Sequence, residues 1–166
     1  MNGYRFSMLF FIALVFVPLV ALAAPQKGEP APPFKVTSTT GQQIVLSDYR
    51  GKVLLLEFFT TWCSSCKDSV SHLVKLHQKY EKQGLQVLGL NLDDDGVKIV
   101  REFATANRLN YPVALAGESM QTDYGLRSVP TLYVIGKKGL IAEKFMGYNE
   151  EVEKRLDLLL RKLLSE

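Results

Sequence analysis

Val53-Leu54-Leu55-Leu56-Glu57-Phe58-Phe59 is followed, after two threonines, by Trp62-Cys63-Ser64-Ser65-Cys66, and these two stretches decide the fold. A short, continuous apolar run bounded by polar residues is the pattern of a β-strand covered on both faces. After it the period changes. Val70, Leu73, Val74, His77 and Tyr80 share one stripe of a helix predicted over about Cys63 to Lys82, ended by Gly84. The cysteine pair therefore opens a helix directly after a buried strand. A helix N-terminus presents unpaired N–H groups and the positive end of the macrodipole, so a thiolate placed there is stabilised and the thiol pKa falls. Cys63, at the exposed start, is the expected nucleophile. Cys66, nearly one turn further in, is expected to be more buried and to act second, on a mixed disulfide at Cys63.

Cys63 and Cys66 are the only cysteines. A small exported domain stapled by disulfides carries more of them, widely spaced. A zinc site would need two further ligands, and no other thiol exists. His72 and His77 are five apart, not the i, i+4 pair that metals favour on a helix, and are expected at the surface or half-buried. The motif thus points to thiol–disulfide exchange without metal or cofactor. Glu57 interrupts the apolar strand six residues before Cys63. A lone buried carboxylate is costly and neutralises or finds a partner. Either it is buried with a partner, or its long side chain reaches the sheet edge and solvent.

Outward from this centre the chain alternates strands and helices. Phe34 to Lys52 is predicted as two short strands around Thr40-Gly41. Leu85 to Leu92 is a second buried strand, and Asp93-Asp94-Asp95 offers caps for a helix over Val97 to Asn107. Tyr111 to Ala116 is a short strand and Thr122 to Leu126 one helical turn. Thr131 to Ile135 and Leu140 to Met146 form a hairpin around Lys137-Lys138-Gly139. Val152, Leu156, Leu159, Leu160, Leu163 and Leu164 line one face of a last helix over about Glu150 to Leu164. The fold class is α/β: a central mixed sheet with helices on both faces.

The N-terminus differs from the rest. Arg5 is the only charge before Lys27, Met8 to Leu22 is almost wholly apolar, and Ala21-Leu22-Ala23 follows. That order describes a secretory signal peptide over residues 1–23, cleaved near Ala23. The alternative is an uncleaved anchor, although Pro18 interrupts a run that is short for a span. Residues 24–33, with four prolines, read as an extended linker, and 34–166 as the domain. The net charge of +3 contains no dense Lys/Arg tract, which argues against nucleic acid as a partner.

WCSSC after VLLLEFF, with Val129-Pro130-Thr131 before a strand, resembles the thioredoxin superfamily. APPFKVTSTTGQQIVLSDYRGKVLLLEFFTTWC (31–63) and YGLRSVPTLYVIGKKGLIAEKFMGY (124–148) resemble its exported TlpA/ResA branch. The likeness covers about Pro30 to Tyr148. It implies a thioredoxin-like fold with an N-terminal strand pair and a central helix–strand insertion, here Asp95 to Ala116. It also implies a cis peptide before Pro130 against the active-site sulfurs. Val129, Pro130 and Thr131 would meet an extended substrate, with Trp62 as an apolar contact and Gly147 where backbone approaches the site. Glu57 occupies the position of the superfamily's buried acid, which implies a proton donor and acceptor for Cys66. ResA-like members place a Glu three residues beyond the second Cys, where this chain has Ser69; thioredoxin-like members place a Pro five beyond, where it has Ser71. Specificity is therefore not carried over. The implied activity is disulfide reduction in the periplasm, on proteins such as apocytochrome c, with a membrane protein as electron donor.

Other functions compete. The same thiols serve an oxidase or isomerase at a higher reduction potential. Peroxiredoxins share the fold and place a Thr three residues before the peroxidatic Cys, as Thr60 stands here, though without their Pro. A copper-delivery protein of the SCO type needs C-x-x-x-C and a distal His, and this chain has neither.

Overall fold

A computed structural model describes residues 24–166; the segment read as a signal or anchor, 1–23, lies outside the described residues. The elements are β1 (Lys35–Thr37), β2 (Gln43–Val45), β3 (Val53–Phe59), α1 (Ser64–Tyr80), β4 (Leu85–Asn91), α2 (Val97–Ala106), β5 (Val113–Leu115), α3 (Glu118–Asp123), β6 (Thr131–Ile135), β7 (Ile141–Met146) and α4 (Glu150–Ser165). β1 and β2 form an antiparallel pair, and the other five strands form one sheet in the order β5-β4-β3-β6-β7. β3, β4 and β5 run parallel, while β6 and β7 are antiparallel additions on the other side of β3. This is the thioredoxin-like mixed sheet with its N-terminal strand pair, and α2 with β5 fills the central insertion.

The central place of β3 explains its composition. Alternate side chains of a strand point to opposite faces, and both faces here are covered. Val53, Leu55 and Phe59 pack with α1, α2 and α4. Leu54, Leu56 and Phe58 pack with β1, β2 and α3. Each of these leucines is fully buried, which contributes about 1.5–3 kcal/mol per side chain. Aromatic pairs close both layers: Phe59 with Phe103 at 5.5 Å, and Phe58 with Tyr124 at 5.2 Å.

α1 buries Cys66, Ser69, Val70, Leu73, Leu76, His77 and Tyr80. The expected stripe omitted Leu76 and counted Val74, which is only half-buried. The arc is turned and widened because α4 lies beside α1 as well as the sheet below it. Gly84, at φ +101°, stops the chain one short turn after the helix, in a conformation that favours glycine. α4 is capped by the Asn149 side chain, which accepts the Val152 N–H at 3.0 Å, and docks through Leu156 and Leu160.

Two local expectations are corrected. The turn expected over Thr122 to Leu126 is α3, which starts at Glu118 and ends where the buried Tyr124 leaves the helix for the core. Gly96, not an aspartate, is the N-cap of α2, and no side chain caps it.

Each sheet edge is covered over part of its length. Residues 24–33 run beside β7: Gly28 N–H donates to Ile141 O (2.8 Å), Ile141 N–H to Glu29 O (2.8 Å) and Ala31 N–H to Gly139 O (3.0 Å). Lys27 pairs with Glu143 at 3.3 Å. At the other edge, Ser38 bridges to Ala114, and Thr39 N–H donates to Val113 O (2.7 Å). Among the described residues no helix is long and apolar enough to cross a membrane.

Candidate active site

The two cysteines lie where β3 ends and α1 begins, joined as a disulfide with Cα atoms 5.2 Å apart. Cys63 is the N-cap of α1 in extended conformation, and its sulfur accepts the Cys66 N–H at 3.2 Å. Sulfur thus takes the place an oxygen fills in an ordinary cap, and it sits against the positive end of the helix. The first turn of α1 carries no acidic residue to offset that field. Cys63 is 9% exposed and Cys66 fully buried, so only Cys63 offers a sulfur to an incoming partner.

Glu57 points from β3 toward α1 and is fully buried. The alternative in which it reaches solvent is thereby excluded. One carboxylate oxygen accepts the hydroxyl of Ser69, which also lies 3.0 Å from the carbonyl oxygen of Cys66. The other oxygen has no partner among the described residues. Burial pushes the Glu57 pKa up to about 8, against the smaller, opposite pull of the Ser69 hydrogen bond. Ser69 stands where the resemblance leads one to expect a Glu. Here the strand supplies the acid and the helix supplies its hydroxyl partner.

The segment that leads into Cys63 is held from β4. The Asp93 carboxylate accepts the Thr61 N–H at 2.9 Å and the Asn91 amide at 3.1 Å, and Asp93 N–H returns a bond to Asn91 Oδ1 at 2.9 Å. This explains why Asp93 does not cap α2: its side chain is turned inward to the active-site loop.

The Val129–Pro130 peptide is cis. Val129 packs against the core cluster that contains both cysteines, and it lines one groove together with Trp62. Pro130 is buried, and its carbonyl accepts the Gly147 N–H at 2.8 Å. Gly147 holds φ +73°, a conformation that side chains rarely adopt. Thr131 is fully buried, with its hydroxyl donated to Ser128 O at 2.7 Å and its backbone in register with Phe58 on one side and Met146 on the other, so the expectation that it meets a substrate is corrected. Trp62 is 73% exposed and Met146, opposite Thr131 in the sheet, 62% exposed. These are unusually open apolar side chains for their size.

Sequence reasoning missed Ser69, Asp93, Met146 and Tyr148. Tyr148 contacts Nδ1 of His72 on α1, and His72 Nε2 lies 3.6 Å from Glu153 on α4. Burial lowers the His72 pKa. The pair ties the residue after Gly147 to the helix that bears the cysteines. His77 is buried edge-on to Tyr111. Among the described residues no cluster of His, Cys, Asp and Glu is gathered as for a metal ion.

Known proteins share this arrangement. The AhpC/TSA family model matches residues 27–144. The thiol-disulfide oxidoreductase ResA of Bacillus anthracis is 32% identical over 139 residues, 83% of this chain and 79% of the relative. The thioredoxin-like protein YneN of Bacillus subtilis is 32% identical over 136 residues, 80% of each chain. A Chlorobium tepidum structure assigned as the thiol:disulfide interchange protein DsbE superposes with a TM-score of 0.80 at 27% identity, covering 85% of this chain and 99% of that one. A thioredoxin-like sheet, a Cys-x-x-Cys pair capping its first helix and these likenesses converge: the chain belongs to the AhpC/TSA family and is a thiol–disulfide oxidoreductase.

Proposed function

We propose that the protein acts outside the cytoplasm as a disulfide reductase for other proteins, with Cys63 as nucleophile, Cys66 as resolving thiol and Glu57 as proton acceptor. The observation that carries this reading is Cys63 Sγ at the N-cap, with the buried Glu57–Ser69 pair set against the turn that holds Cys66. In the reduced protein the Cys63 thiolate attacks one sulfur of the partner's disulfide. That S–S bond breaks, and the partner's other sulfur leaves as a thiolate and takes up a proton. In molecules whose Glu57 is ionised, Cys66 then gives its proton to the carboxylate and attacks Cys63 Sγ. The intramolecular disulfide forms, and the partner's second thiolate departs and is protonated. Two electrons pass to the partner, and a dithiol donor at the membrane returns the protein to its reduced form. A carboxyl group with a pKa of about 8 is well matched to a thiol of ordinary pKa near 8.5.

Trp62, the Val129 backbone and the cis-Pro130 turn supply the surface for an extended partner strand. Apocytochrome c is the first substrate to test, as the resemblance to the ResA branch implies. Export rests on the apolar segment before Ala24, and the periplasm is the compartment that fits it. The experiment is a pair of variants. Cys63→Ser abolishes reduction of a protein disulfide, and Cys66→Ser accumulates a mixed disulfide at Cys63. A fully active Cys63→Ser protein overturns the reading; a missing adduct reverses the two roles.

A second reading, thiol peroxidase, draws on the family match and on Thr60, whose buried hydroxyl has no partner among the described residues. Peroxide consumption by the reduced protein, dependent on Cys63 and Thr60, distinguishes it.

A further inference from the structure

The groove beside the disulfide has a single charged wall. It encloses about 290 Å³ between Trp62 and Leu92 on one side and Gln121, Leu126, Arg127 and Val129 on the other. That is slightly below the size of small-molecule pockets, about 300–1,000 Å³, and suits one or two side chains of a partner strand. Its lining contains no carboxylate, and Arg127 is its only charged side chain. Arg127 is exposed and makes no ion pair among the described residues.

A second cation feels its charge. Lys144 donates to Gly125 O at 3.4 Å and lies 5.0 Å over the Tyr133 ring, also without a carboxylate partner. Burial chiefly, and then Arg127, hold the Lys144 pKa below its usual value. Two like charges thus stand near one another with no ion-pair partner for either among the described residues. Arg127, two residues before Val129 in the chain, lines the same groove.

We propose that this groove selects oxidised polypeptides carrying an acidic side chain close in sequence to the cysteine that Cys63 attacks, with Arg127 as the specificity-determining residue. The inference rests on the reductase reading above. The apolar walls, Trp62, Leu92 and Leu126, take the neighbouring side chain of the same strand, and Gln121 offers a neutral hydrogen-bonding group beside the guanidinium. Exposed ion pairs of this kind are modest and salt-sensitive, so the selection is a bias rather than a lock.

The test uses three peptides, each with one internal disulfide, that differ only in a Glu, Gln or Lys next to the reactive cysteine. For the reduced wild-type protein at low salt the Glu peptide is reduced about two- to fivefold faster than the Lys peptide. The ratio shrinks as sodium chloride is added. Arg127→Gln brings the Glu-to-Lys ratio down toward one, and Arg127→Glu inverts it. Each ratio is internal to one variant, so a change in overall turnover does not obscure it. An identical ratio in wild type, Arg127→Gln and Arg127→Glu, with all three peptides still reduced, overturns the groove assignment and leaves the reductase reading standing. No Cys63-dependent reduction of any peptide by the wild type overturns the reductase reading, and the inference with it.

Discussion

Replacing Glu57 with Gln removes a titrating group from a place that water does not reach. Its carboxyl group has an ordinary pKa of 4.5 and is pushed to about 8 in the folded protein. At pH 7 roughly nine in ten molecules therefore hold it protonated. Below pH 4.5 the group is protonated whether the chain is folded or not, and it contributes nothing to the pH dependence. Between pH 4.5 and 8 the folded chain keeps a proton that the unfolded chain releases, so stability falls as pH rises. The loss levels off above the folded pKa. Over this interval of about 3.5 units, at 1.36 kcal/mol per unit, it amounts to about 5 kcal/mol. Gln accepts the Ser69 hydroxyl through its amide oxygen and cannot ionise. Glu57→Gln should match the wild type at pH 4 and exceed it progressively up to pH 8–9. Guanidinium unfolding of both oxidised proteins at pH 4, 6, 8 and 9 measures this, and taking the difference at each pH cancels every other titration. A difference that stays constant with pH refutes the argument, because Glu57 would then titrate as it does in water. Kinetics supply a second arm. The same variant should slow release of the mixed disulfide more than the first attack, and equal slowing of both steps leaves Glu57 no part in the proton transfer.

Two further outcomes are expected. Cys63 is stabilised by the helix N-terminus and the Cys66 N–H, with no charge from Ser64 or Ser65, so the reduction potential should lie below roughly −200 mV. A glutathione equilibration that gives about −120 mV makes the protein a disulfide donor instead. Asp93→Ala strands the Thr61 N–H and the Asn91 amide and should cost about 1–3 kcal/mol in urea unfolding. An unchanged midpoint and slope would mean that water replaces the carboxylate.

What the sequence discloses here follows the range of each signal. VLLLEFF and the stripe of α1 are local patterns, and both elements lie within a few residues of their expected bounds. The cysteine roles follow from the same local reading. Glu57 is conspicuous because a charge in an apolar run is anomalous in any context. Ser69 is not, since a serine on a helix is unremarkable until the strand beneath it is known to present an acid. Asp93 misleads for the same reason. Three aspartates before a helix satisfy every capping rule, yet the parallel pairing of β3 with β4 brings Asp93 under Thr61, and the tertiary bond prevails. The cis turn at Pro130 became an expectation only through the family likeness. Thr131, grouped with it by motif, turns its side chain away from the groove to close the turn itself.

The partly covered rims of the sheet bear on the company this protein keeps. A protein that exchanges disulfides with other proteins meets extended, incompletely folded polypeptide, the material most prone to adding itself to a bare strand. Here the stretch Gly28–Ala31 takes up hydrogen-bonding positions of β7 beside the Gly139–Ile141 turn, and Ser38-Thr39 takes those of β5, itself only three residues long. Over these stretches unwanted guests are denied a ladder to climb. On the function proposed above, the irregular turn at Pro130 is where a visiting strand pairs, so a transient visit ends in exchange of a bond rather than in a growing stack.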